Sequence, residues 1–105
     1  MNNLQPSESL LEGRQGRKVK GQFLDDEITL RIRALVGFQL RYIATSGGGW
    51  DKLYQDPNDG RLWELTYPQS YLQGGGPPRL ECISRSTAET RYMRDRDFNQ
   101  NLGRG

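Results

Sequence analysis

The chain has 105 residues, a formal net charge of +2, 33% hydrophobic and 27% charged residues, one cysteine and no histidine. That length fits one small domain with a modest core. The composition excludes a disulfide scaffold, histidine-based nucleophile activation and histidine-rich metal sites, and one cysteine cannot build a structural zinc site.

Charge is unevenly spread. Residues 1–24 and 85–105 are each net +2, residues 25–45 are neutral and residues 46–84 are net −2. An acidic middle between basic ends disfavours nucleic-acid binding by the folded part. The N-terminus lacks the charged and apolar regions of a signal peptide, and no apolar run approaches the ~20 residues of a membrane helix. A cytoplasmic protein without a cofactor is expected.

Residues 1–16 are polar, with Pro6, Gly13 and Gly16, and read as a flexible lead-in to a single domain over 17–92. Lys18–Phe23 reads as an edge strand interrupted by Gly21. Asp25, Asp26 and Glu27 suit the positive end of a helix, and Asp25 or Asp26 can cap it. Ile28, Ile32, Leu35, Val36, Gln39, Tyr42 and Ile43 then follow one helical face. The spacing predicts a helix of about 18 residues, from near Asp26 to near Thr45. Gly37 weakens it locally.

Trp50–Tyr54 and Arg61–Tyr67 read as two strands of a hairpin. The connecting Asp56-Pro57-Asn58-Asp59-Gly60 has the residues a tight turn requires. Gln69–Pro78 is a glycine- and proline-rich loop, and Arg79–Ser84 a third short strand carrying Cys82. Ser86-Thr87-Ala88-Glu89 has the form of a capping box opening a short helix. Residues 93–105 read as a disordered tail. The expected fold is α+β: one amphipathic helix on a small antiparallel sheet with a central hairpin, followed by a short C-terminal helix.

No pattern supports catalysis. Asp25–Glu27 read as helix-start acids, Asp56–Gly60 lacks the spacing of a calcium loop, and neither glycine run precedes the Lys-Ser/Thr of a phosphate loop. Aromatic residues are dense between Trp50 and Tyr71, and tryptophan, tyrosine and arginine are the usual interface anchors. The hairpin turn and the Gln69–Pro78 loop are therefore expected to form a partner-binding edge together. Tyr54 and Tyr71 would be its inserting aromatics, and Asp56, Asp59 and Arg61 its charged rim. A regulatory or adaptor module is one alternative. A nucleic-acid binder using the basic tail Arg91–Arg96 is another.

Trp50, the run Leu53-Tyr54-Gln55-Asp56-Pro57-Asn58-Asp59-Gly60-Arg61-Leu62-Trp63-Glu64-Leu65-Thr66-Tyr67-Pro68-Gln69-Ser70, and Gly74-Gly75-Gly76-Pro77-Pro78-Arg79-Leu80 resemble the immunity protein 27 family. The resemblance implies a bacterial protein that binds and neutralises the C-terminal domain of a cognate toxin in a polymorphic toxin system. It implies no metal or cofactor. The family more often carries an aromatic where Leu62 stands, and a Glu-Met-His stretch where this chain has Tyr71-Leu72-Gln73.

Overall fold

The computed structural model describes residues 3–46, 48–70 and 76–101. Among them, an antiparallel five-stranded sheet has the order β1 (Leu10–Glu12), β7 (Arg79–Ile83), β6 (Leu62–Thr66), β5 (Lys52–Gln55) and β4 (Arg41–Thr45). Strands β2 (Gln15–Val19) and β3 (Gln22–Asp25) form a separate two-stranded ribbon. Helix α1 (Glu27–Ala34) runs on into a π-helical turn, Leu35–Gln39, while α2 (Arg85–Tyr92) and α3 (Arg96–Asn101) close the chain. The fold is α+β, as the sequence predicts.

The central hairpin forms as expected. Tyr54 stands opposite Trp63, and β7 adds on with Trp63 opposite Cys82. Alternation then sorts the side chains onto two faces. Tyr54, Trp63, Leu65 and Leu80 pack against Ile32 and Leu35 of the helical segment. Leu53, Leu62 and Ile43 pack against Ala88, Tyr92 and Phe98 of α2 and α3. Both faces are therefore covered, which explains why Leu62, Trp63, Glu64 and Leu65 are consecutively buried.

Asp26 caps α1, its Oδ1 accepting the Thr29 N–H at 2.8 Å. The helical segment ends earlier than expected, at Gln39, where Leu40 turns extended and its N–H still reaches the Leu35 carbonyl at 2.8 Å. Residues 41–45 form β4 instead of a final helical turn. Tyr42, Ile43 and Thr45 favour strands, Gly37 weakens the helix before them, and pairing with β5 supplies the ladder hydrogen bonds.

Three further expectations are corrected. The single strand over Lys18–Phe23 is a hairpin: Val19 pairs with Gln22 across a two-residue turn, with Lys20 at φ +51° and Gly21 at φ +83°. Gly21 is thus the turn residue, not a flaw inside a strand. The expected flexible lead-in contains β1, and Leu4 and Leu11 enter the core. Two arginines strap it down. Arg31 donates to both Glu8 carboxylate oxygens at 2.6 and 2.7 Å and to the Asn3 carbonyl at 2.9 Å. Arg61 donates to the carbonyls of Glu8 at 2.6 Å and Gln5 at 2.9 Å.

The expected disordered tail contains α3, with Phe98 buried. From this segment the Asp95 carboxylate accepts the Thr45 N–H at 2.6 Å, and Asn101 Nδ2 donates to the Ile43 carbonyl at 2.9 Å. Both groups belong to β4 on its outer side.

Candidate functional site

The Asp56–Gly60 turn is organised largely by its own atoms. The Asp56 N–H donates to the Arg61 carbonyl at 2.9 Å, and the Gly60 N–H donates back to the Asp56 carbonyl at 2.7 Å. Gly60 has φ +80°, which suits glycine. Asp56 is buried, and its Oδ1 accepts the Asn58 N–H at 2.9 Å. Asp59 accepts from the Arg61 N–H at 3.0 Å and from Arg61 Nε at 2.7 Å. The backbone N–H of Arg61 is the main reason the Asp59 carboxyl is held below its usual range. Arg61 also lies over the Trp63 ring, 5.0 Å from its centroid.

Of the expected binding residues, Tyr54 and Asp56 thus face inward. Tyr54 packs edge-on against Tyr42 with centroids 6.0 Å apart, and burial pushes its hydroxyl up. Asp59 and Arg61 reach the surface, but each serves the other and Arg61 serves the N-terminal strap. Tyr71 lies outside the described residues. At this end of the sheet, Arg41 Nη2 donates to Gln55 Oε1 at 2.6 Å, which brings the start of β4 beside the turn. Phe38, just before β4, is 91% exposed.

The turn and the described ends of the Gln69–Pro78 connection, residues 69–70 and 76–78, lie at opposite ends of the sheet. In an antiparallel meander successive connections alternate between ends. The five residues of β6 separate the two by about 16 Å at ~3.3 Å per residue. The β6–β7 connection instead shares its end of the sheet with the β4–β5 connection.

That second end presents a different surface. The β4–β5 connection is fixed by the Ser46 N–H to the Asp51 carbonyl at 2.8 Å and by the Gly49 N–H to the Ser46 carbonyl at 2.9 Å. It holds out Trp50, 69% exposed. Beside it an open groove of about 790 Å³ is lined by Thr45, Ser46, Arg91, Met93, Arg94 and Arg96, among others. Beneath the groove, the buried Glu64 carboxylate accepts from Arg91 Nη1 and, at 2.8 Å, from the Tyr92 hydroxyl. Burial first, then the hydrogen bond to Glu64, pushes the Tyr92 hydroxyl up. This network ties α2 to the central strand and makes the groove wall rigid.

Arg94 and Arg96 carry no carboxylate partner among the described residues. An exposed tryptophan, an exposed methionine and unpaired arginines on a rigid frame are the side chains that anchor protein interfaces. Sequence reading placed Trp50 in a strand and residues 93–96 in the tail. The available signal was Trp50's position directly after three glycines, where a turn is the natural assignment. For chemistry the surface offers little. Among the described residues no three histidine, cysteine, aspartate or glutamate side chains are grouped to hold a metal, and Cys82 is packed against the core.

Residues 18–84 match the model of a family described as Immunity protein 27, a span running from the β2–β3 ribbon to the N-cap of α2. No curated protein and no solved structure matches the chain.

Proposed function

Because the chain belongs to the immunity protein 27 family, we propose that it binds the C-terminal domain of a cognate bacterial toxin and neutralises it by covering its active site or blocking substrate access. Its action is binding without catalysis. The complex would form in the bacterial cytoplasm; among the described residues no helix is long and apolar enough to cross a membrane.

The observation that carries the contact surface is Trp50, 69% exposed on a hydrogen-bonded turn beside the groove of Arg94 and Arg96. A side chain of that size pointing at water is costly to keep exposed and valuable to bury in a partner. The test is co-expression with the toxin domain encoded by the neighbouring gene. Trp50→Ala should leave the melting temperature nearly unchanged, weaken binding by roughly 30-fold or more, and abolish protection. Full protection by Trp50→Ala would reject this surface.

The opposite end supports a second reading through Phe38, 91% exposed shortly before β4 begins. Asp59→Lys and Phe38→Ala are the matched variants. Loss of protection in these, with Trp50→Ala still protecting, assigns the contact to the Asp56–Gly60 end.

A further inference from the structure

The β2–β3 ribbon stands apart from the five-stranded sheet, and its described side chains are exposed on both faces apart from the half-covered Gly16. A lone two-stranded ribbon is marginal in water. This one is anchored at its root. The Gly13 N–H donates to the Pro78 carbonyl at 2.9 Å, the Arg14 N–H to Asp26 Oδ2 at 3.1 Å, and Arg33 Nε to Asp25 Oδ2 at 2.9 Å. At Gly16 the strands approach so closely that a Cβ would stand 1.6 Å from the Leu24 carbonyl oxygen. The ribbon is therefore held out in a defined direction while its outer half touches little.

Its charge is one-sided. The ribbon carries Arg17, Lys18 and Lys20, and its one carboxylate, Asp25, sits at the root and is bound to Arg33. Arg17 and Lys20 have no ion-pair partner among the described residues. Arg17 and Lys20, near the ribbon's tip, favour an acidic surface lying against them. Interleaved with them, Val19 and Leu24 are 41% and 52% exposed. A phosphate backbone would match the cations but offers nothing apolar to these two side chains, whereas an acidic protein surface matches both.

The ribbon is also at the right end of the molecule. Gly76 and Pro77 of the β6–β7 connection share with it a groove of about 280 Å³. That connection leaves the same end of the sheet as the Trp50 turn, and at ~4.8 Å per strand the whole sheet is only about 20 Å across. One partner can touch both.

We propose that the β2–β3 ribbon is a docking arm that lies on an acidic patch of the toxin domain and steers its association with the Trp50 surface; this rests on the toxin-binding function given above. Steering by complementary charge acts mainly on the on-rate and is screened by salt.

The experiment is stopped-flow association of the full chain with a catalytically inactive form of the neighbouring-gene toxin domain, across a salt series. Arg17→Glu/Lys20→Glu should lower the on-rate by about ten-fold or more at low salt, with the gap closing as salt rises. Arg17→Gln/Lys20→Gln should fall between, and thermal melting should be unchanged because these side chains are exposed. If wild type binds, Trp50→Ala weakens binding, and the ribbon variants match wild type in on-rate and salt dependence, the arm is refuted while toxin binding stands. If wild type does not bind the toxin domain, both ideas fall. A short RNA or DNA duplex serves as the control ligand at low salt. Retention by wild type that the Glu variant loses, together with unchanged toxin association, would assign the ribbon to nucleic acid and overturn the proposal.

Discussion

Replacing Glu8 with glutamine isolates the strap that ties the N-terminal segment to α1. In the folded protein Arg31 grips the Glu8 carboxylate through two hydrogen bonds of 2.6 and 2.7 Å, and the Gln5 N–H adds a third at 2.8 Å. Chiefly through Arg31, the carboxyl is pulled from an ordinary 4.5 down to about 2. A shift of that size corresponds to about 3 kcal/mol at 1.36 kcal/mol per unit. Both side chains are 24% exposed, so water screens part of it, and about 1–2 kcal/mol is the expected loss at pH 7. For a domain of this size that lowers the melting temperature by roughly 5–10 °C. Because the folded-state value lies below the unfolded one, the stabilisation is complete above pH 4.5 and drains away as pH falls towards 2. The gap between wild type and Glu8→Gln should thus shrink by about half or more between pH 7 and pH 3. Urea unfolding of both proteins at the two pH values measures it. A difference below about 0.3 kcal/mol at pH 7, against ~1 kcal/mol for an ordinary hydrogen bond, or a difference that stays constant with pH, refutes the strap.

Other substitutions probe the rest of the frame. Ile32→Ala, at a side chain 1% exposed between α1 and the sheet, should cost about 2–5 kcal/mol in urea unfolding, and a loss under half of ~1 kcal/mol would mean that face is not core. Tyr92→Phe deletes the hydroxyl that donates to Glu64 and should cost about 1.5–3 kcal/mol with an unchanged far-UV spectrum; a neutral outcome would show that Arg91 alone satisfies the carboxylate. Gly13→Ala would put a Cβ 2.3 Å from Thr29 Oγ1 and 3.0 Å from the Pro78 carbonyl oxygen, so hydrogen exchange should report lost protection in β1, at a cost of about 1–3 kcal/mol.

How far the sequence discloses this molecule depends on the range of the interactions involved. The Asp56–Gly60 turn and its flanking strands were legible because every determinant lies within the fifteen residues Lys52–Thr66. The start of α1 was legible for the same reason, since Asp26 caps a helix that begins at the next residue. The end of the helix was not. Tyr42 and Ile43 suit the apolar stripe of a helix and also the two faces of a strand, and what decides is β5, further along the chain. Likewise Leu11 looks isolated in a polar stretch until Leu80 comes to stand opposite it. Two of the expected binding residues turn inward for a related reason. Tyr54 and Asp56 have interface-like chemistry, but a small core and a tight turn needed them first. Trp50 gains its exposure from the turn that holds it, which composition alone does not reveal.

The outer side of β4 has a consequence for how the chain tolerates damage. An open strand margin recruits any extended segment offered to it, including one from another copy. Here the Thr45 N–H and the Ile43 carbonyl are already taken by Asp95 and Asn101, two side chains from the last stretch of chain. A proteolytic nick after Met93 would strip both away while leaving β4, β5 and the Trp50 turn intact. The clipped protein would keep Trp50 but lose the Arg94 and Arg96 side of the groove, and it would gain a margin that recruits copies of itself. In a cell, the short α3 segment then marks the difference between a chain that stays dispersed and one that is lost to self-association.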